Sequence, residues 1–129
     1  MTDSAVAAGR LVLVVGGDRT RLAFLAQALR QGGFQVFTAS DSLQGFALAV
    51  RERPAVIVSD MQMAAGGGDA FLRRLQASSR ISSVPVVVVT GSVGPEDQAR
   101  LVGSGVSAVL TKTVEPAQLV AAVAAAARA

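Results

Sequence analysis

Five short apolar runs, each followed by a segment of helical periodicity, constrain the fold of this chain more than any other feature. Short aliphatic runs bounded by Gly or Pro are typical of strands buried on both faces of a parallel sheet. The runs cover residues 11–15, 34–38, 55–60, 86–89 and 106–110. This regular alternation predicts an α/β domain with helices on both faces of the sheet and right-handed crossovers.

The chain length narrows the topology further. Five strands in 129 residues fit a three-layer sandwich with a five-stranded parallel sheet in the order 2-1-3-4-5, whose topological switch lies between the first and third strands. We expect residues 1–10 to form a flexible tail, because they are small and polar, and residues 11–129 to form one domain. The crevice at the switch would be lined by Gly16, Gly17, Asp18 and Asp60.

The helices are predicted from caps and apolar spacing. Asp18 is expected to cap the first helix and Asp69 the third. The second helix is expected over residues 40–53, and the last begins at Pro116. For the second helix, the spacing predicts an inward face of Leu43, Phe46, Ala47 and Val50.

Composition excludes several classes of function. The chain has no Cys and no His, so disulfides, thiol chemistry and a transition-metal centre are not expected, and only a hard cation on oxygen ligands stays open. Its eleven arginines are scattered, which argues against a direct nucleic-acid partner. The longest apolar segment, Leu119–Ala127, is too short to cross a membrane. We therefore expect a cytoplasmic protein.

Three polar residues end separate strands and should meet at one edge of the sheet. They are Asp60, Thr90 and Lys112, and Lys112 is the only lysine. Each also has a simpler interpretation: Asp60 starting a turn, Thr90 satisfying a backbone group, and Lys112 reflecting chance composition. Together, however, an aspartate, a hydroxyl and an ammonium suit phosphoryl transfer, in which aspartate acts as nucleophile and the other two stabilise phosphoryl oxygens.

With these residues, the chain resembles the response-regulator receiver domains of bacterial two-component signalling over Leu11–Ala127. The resemblance implies a flavodoxin-like fold in which Asp60 accepts a phosphoryl group from a histidine kinase or phosphotransfer protein. Thr90-Gly91 matches the family's switch position, and Lys112 matches its lysine after the fifth strand. It further implies a signalling phospho-acceptor rather than an enzyme, with at most slow autodephosphorylation, which acts by contact with an output protein or output domain.

The sequence departs from that family after the first strand. Receivers usually carry two adjacent acids there to hold Mg²⁺, whereas this chain has Gly16 and Gly17. The resemblance leaves Asp60, the backbone carbonyl of Gln62 and, if the loop allows, Asp18 as metal ligands. We expect Mg²⁺ to bind weakly or not at all, with affinity lower by about 10–100-fold. A helix cap is the favoured role for Asp18.

Two further departures concern the switch itself. The family's Lys-Pro is here Lys112-Thr113, so we expect the strained peptide after the lysine to be absent. Val109 stands where the family has an aromatic switch residue.

Three functions stay open from the sequence. The first is a phosphoryl-accepting receiver. The second is a pseudo-receiver that binds partners without phosphorylation, favoured by the glycines and by Val109. The third, a nucleotide-binding domain, depends only on Gly16-Gly17, which matches no complete phosphate-binding motif.

Overall fold

The structure, a computed structural model, describes residues 9–61, 67–91, 95–103 and 105–128. The predicted alternation of strands and helices is confirmed. The elements are β1 (Leu11–Val15), α1 (Arg19–Gln31), β2 (Gln35–Ala39), α2 (Ser42–Glu52), β3 (Val56–Asp60), α3 (Gly67–Ala77), β4 (Val86–Thr90), α4 (Pro95–Gly103), β5 (Ala108–Thr111) and α5 (Pro116–Arg128). The strand order is β2-β1-β3-β4-β5 and every pairing is parallel, as the sequence predicts.

The register brings the carboxyl ends of the strands together. Ser59 pairs with Val15 of β1, Asp60 with Val89 of β4, and Thr90 with Thr111 of β5. Asp60 therefore ends the central strand with β1 and β4 on its two sides. The residues that follow β1, β4 and β5 surround it, because parallel strands all end at the same edge.

Alternating side chains of the sheet fill two apolar layers. Val12, Val14, Val56 and Val58 pack with α1 and α5 on one face. Leu13, Val15 and Ile57 pack with residues of α2, α3 and α4 on the other face. The core is aliphatic apart from Phe34 and Phe71, and its close packing makes β3 a rigid support for Asp60.

Asp18 caps α1 as predicted. Its backbone is extended (φ −97°, ψ 115°), and its carboxylate accepts a hydrogen bond from the backbone N–H of Arg21 at 3.0 Å. The buried residues of α1 are Leu22, Leu25, Ala26, Ala28 and Leu29. The start of α1 is thereby fixed directly beside the end of β1.

The predicted inward face of α2 is wrong for two of its four residues, whereas Phe46 and Val50 do pack against the core. Leu43 is 69% exposed and Ala47 is exposed, whereas Gly45 and Ala49 are buried. A Cβ at position 45 would lie 2.9 Å from Cγ2 of Val15. The helix approaches β1 through its glycine, so the residue that lowers helix propensity is the one that the packing requires.

One smaller expectation also needs correction, and the extent of the expected tail is untested. Asp69 does not cap α3: it lies in the first turn of a helix that begins at Gly67, and it pairs with Arg100 of α4 at 3.0 Å. Arg10, placed in the expected tail, donates from Nη1 to the carbonyl of Ala127 at 3.0 Å. Residues 1–8 lie outside the described part of the chain, so the extent of the tail stays a prediction. Among the described residues, no helix has the length and apolar character needed to cross a membrane.

Candidate functional site

Asp60 is the centre of the site. It is the last residue of β3, and its side chain is only 2% exposed. An ionised carboxylate so deeply buried is costly unless other groups pair with it. Here Oδ1 accepts from Nζ of Lys112 at 3.2 Å, and Oδ2 accepts from Nη1 of Arg21 at 3.1 Å. Each carboxylate oxygen thus contacts a different protein cation.

Lys112 reaches Asp60 from the residue that follows β5. Its side chain is 17% exposed, and its backbone N–H donates to the carbonyl of Thr90 at 2.8 Å. That bond ties the start of the β5–α5 connection to the end of β4 and so directs the ammonium towards β3. The peptide bond between Lys112 and Thr113 is cis. The expectation that the unusual peptide found after the family's lysine is absent here is therefore wrong.

Arg21 is the site residue that sequence reasoning missed. It is one of the eleven scattered arginines, yet its side chain is only 30% exposed and reaches Asp60 across 39 residues of sequence. A partial sequence signal exists, because a cation in the first turn of a helix is disfavoured by the helix dipole and α1 begins at the same sheet edge as Asp60. The signal does not distinguish Arg21 from Arg19, which lies exposed in the same turn, so it could not identify Arg21 by itself.

Thr90 lies on the β4 side of the site. It ends β4, is 8% exposed, and is followed by Gly91. Because β4 pairs directly with β3, the structure places Thr90 at the strand end next to that of Asp60. The three residues predicted from strand ends are therefore brought to one edge of the sheet.

The described residues do not fit a Mg²⁺ site. Gly16 and Gly17 supply no carboxylate, and both oxygens of Asp60 already accept bonds from cations. Asp18 is exposed and caps α1. The hydrogen bond from the Arg21 backbone lowers the pKa of Asp18, and the charges of Arg21 and Lys112 act in the same direction. Within the described ranges, no group of three or more acidic side chains could hold a metal ion; Gln62 lies outside those ranges.

A cleft of about 400 Å³ opens beside the ion pairs, between α1 and the start of the β5–α5 connection. Arg21 and Lys112 both line it. The remaining lining residues are Asp18, Thr20, Phe24, Leu25, Val89, Thr113 and Val114. The walls carry two cations, both paired with Asp60, and the carboxylate of Asp18. The volume of the cleft admits a group as small as a phosphoryl.

Comparison with known proteins agrees with the geometry. Residues 12–124 match the family model described as "Response regulator receiver domain". The chain is 35% identical over 119 residues to the transcriptional regulatory protein PrrA of Mycobacterium tuberculosis, covering 92% of this chain and 50% of PrrA. It is 31% identical over 104 residues to Protein PilH of Pseudomonas aeruginosa, covering 81% of this chain and 86% of PilH.

Solved structures show the same fold. The chemotaxis response regulator CheY4 of Vibrio cholerae superposes with a TM-score of 0.83 at 24% identity, covering 92% of this chain and 99% of CheY4. A response regulator receiver protein of Pseudomonas putida superposes with a TM-score of 0.80 at 26% identity, covering 91% of this chain and 97% of that one. The chain spans about half the length of PrrA and of the phosphate regulon transcriptional regulatory protein PhoB of Escherichia coli.

Proposed function

Because this chain belongs to the response regulator receiver domain family, we propose that Asp60 accepts a phosphoryl group and that the domain signals by protein contact. The phosphoryl donor would be a histidine kinase or a phosphotransfer protein. The observation that carries the proposal is the pairing of a buried carboxylate with two cations beside an open cleft.

The proposed transfer needs a nucleophile that stays ionised inside the protein. An oxygen of Asp60 forms the new bond to phosphorus while the bond between phosphorus and the donor's imidazole nitrogen breaks. The donor's histidine keeps the electron pair of that bond and takes a proton from water. Phosphoryl transfer depends mainly on positioning and on neutralisation of the phosphoryl oxygens. The ammonium of Lys112 would neutralise part of the charge on the phosphoryl oxygens, and the hydroxyl of Thr90 would donate a hydrogen bond to one of them.

Burial of Asp60 supports the same role. A carboxylate at 2% exposure is kept from most water, which strengthens its interactions with nearby cations. Its fixed position on the central strand limits the motion that a reacting group must lose. These properties suit a group that receives phosphorus from a docked partner.

A pseudo-receiver is the second candidate. In that case the pairs from Arg21 and Lys112 to Asp60 would be permanent, and they would stabilise the fold without any reaction. The absence of carboxylates at Gly16 and Gly17 favours this candidate. The nucleotide-binding alternative depended on the same two glycines alone, and the family match replaces it.

Treatment with acetyl phosphate, with and without Mg²⁺, tests the proposal. Intact-mass spectrometry should show one added phosphoryl group on the wild-type chain and none on Asp60→Asn. Asp41→Asn is the matched control, because Asp41 caps α2 at the surface and Asn caps a helix as well as Asp does. If the wild type gains no phosphoryl group under either condition, the pseudo-receiver is correct.

We also propose that the partners are proteins, namely the phosphoryl donor and an output protein or output domain, and that the chain makes no direct nucleic-acid contact. The arginines of the described part lie on many elements and form no single basic surface stretch in sequence. Two matched relatives, PrrA and PhoB, carry names that describe transcriptional regulation.

A further inference from the structure

Arg21 binds Oδ2 of Asp60, the carboxylate oxygen that faces Gly16, where receivers usually carry an acid. We infer that Arg21 is a built-in counter-ion that replaces the divalent metal, so that Asp60 accepts phosphoryl groups independently of Mg²⁺. The inference depends on the proposed function; it adds Arg21 to the site and removes the requirement for a metal ion. It begins from the disagreement between the family's usual metal site and the residues present here.

The contacts place Arg21 on one oxygen and Lys112 on the other. Nη1 of Arg21 lies 3.1 Å from Oδ2, and Nζ of Lys112 lies 3.2 Å from Oδ1. Both distances are within the range of charge-assisted hydrogen bonds. The planar guanidinium also carries several donors in a fixed fork, which suits the oxygens of a phosphoryl group. Arg21 can therefore contact the carboxylate at rest and phosphoryl oxygens after transfer.

The glycine after β1 is consistent with this exchange of roles. A Cβ at Gly16 would lie 3.1 Å from Cβ of Asp60 and 3.7 Å from Oδ2, the oxygen that Arg21 binds. A side chain at position 16 would therefore begin beside the contact that Arg21 makes. With glycine there, that side of the carboxylate is available to the guanidinium.

The charges also balance without a dication. Two acids after β1 would add two negative charges beside Asp60, and a divalent cation would compensate for them. Gly16 and Gly17 remove both charges, and the carboxylate of Asp18 caps α1 instead. The Asp60 group then goes from one negative charge to about two when it is phosphorylated. Arg21 and Lys112 together supply two positive charges.

The start of α1 holds Arg21 in place for this role. Its backbone N–H donates to the capping carboxylate of Asp18 at 3.0 Å, while its side chain extends to Asp60. The cap fixes the backbone from which the guanidinium extends, so the counter-ion is part of the folded scaffold. A metal ion, in contrast, must be recruited from solution.

The test compares phosphorylation of the wild-type chain by acetyl phosphate in EDTA and in Mg²⁺, followed by intact-mass spectrometry. Equal rates in the two solutions are expected. Arg21→Met should react about 100-fold more slowly in EDTA, the effect of removing one donor that stabilises developing charge. Arg21→Lys should recover part of the rate. Arg19→Met is the matched control, since Arg19 lies exposed in the same helical turn, and it should react like the wild type.

Two results overturn the inference alone: a wild-type adduct that forms only with Mg²⁺, or an Arg21→Met variant as fast as the wild type in EDTA. Failure to form an adduct in either solution instead refutes the proposed function, and the inference with it. The wild-type comparison needs no substitution, so the inference is refutable even if Arg21→Met does not fold. Circular dichroism checks the fold of each variant.

Discussion

Replacement of Arg21 by Met tests whether its contact with Asp60 stabilises the fold. Met keeps an unbranched apolar stem and removes the guanidinium. Removing one partner from a fully buried ion pair costs about 3–5 kcal/mol, but the Arg21 side chain is 30% exposed and Lys112 still contacts Asp60. Removing a cation from the first helical turn also relieves an unfavourable interaction with the helix dipole, which stabilises the fold by about 0.3–1 kcal/mol. We expect a net loss of about 1–2 kcal/mol in the free energy of unfolding, near the value of a charged hydrogen bond.

Urea unfolding followed by far-ultraviolet circular dichroism measures this loss, since the chain has no Trp or Tyr for fluorescence. The midpoint should fall while the slope with urea stays unchanged, the pattern of a pure stability change. Arg19→Met is the control and should change stability by no more than about 0.5 kcal/mol, as an exposed substitution.

A double-mutant cycle isolates the contact itself. In an Asp60→Asn background the guanidinium no longer has the Asp60 carboxylate as its partner, so Arg21→Met should cost much less than in the wild type. The expected coupling between the two positions is about 1 kcal/mol or more, typical of residues in direct contact. The reasoning is refuted if Arg21→Met costs no more than Arg19→Met, or if its cost is the same in both backgrounds.

Three other predictions concern the scaffold around the site. Gly45→Ala should lower stability by about 1–3 kcal/mol, despite the better helix propensity of Ala, because the new Cβ would lie 2.9 Å from Val15. Gly103→Ala is the control, because a Cβ there would meet nothing within 4 Å, and it should not lower stability. Thermal unfolding of the two variants measures the difference. Asp18→Ala should destabilise the chain while Asp18→Asn keeps the cap. Since folding lowers the pKa of Asp18 below 3.8, its ionised form stabilises the fold above that pH, and this contribution is lost as the pH falls through the folded pKa. A wild-type advantage over Asp18→Asn that grows as the pH falls would contradict this assignment.

The sheet edge that holds the site was predictable because its signals are local. An apolar run that ends at Asp60 shows both a buried strand and the position of the carboxylate at its end. The alternation of elements then brings Thr90 and Lys112 to the same edge, without any knowledge of individual contacts. The cap at Asp18 was predictable for the same reason, since it depends on residues within one helical turn.

Arg21 and the packing of α2 were not predictable in this way. The contact of Arg21 with Asp60 depends on the position of α1 against β1 and β2 and on the path of a long side chain. Apolar spacing in α2 placed Leu43 on the inward face. Because the helix packs against β1 through Gly45, Leu43 faces outwards instead. Both features are set by tertiary geometry, which overrides local preference.

The central claim is that Asp60 binds a phosphoryl group with Arg21 and Lys112 as its counter-ions. Fluorine NMR of the wild-type chain with beryllofluoride in a buffer freed of divalent metals by a chelating resin tests it most directly, because beryllofluoride mimics a phosphoryl group bound to aspartate. We expect bound fluoride resonances in this buffer that persist when Mg²⁺ is added and are lost in Asp60→Asn. The account is contradicted if bound resonances appear only with Mg²⁺, or fail to appear in either solution.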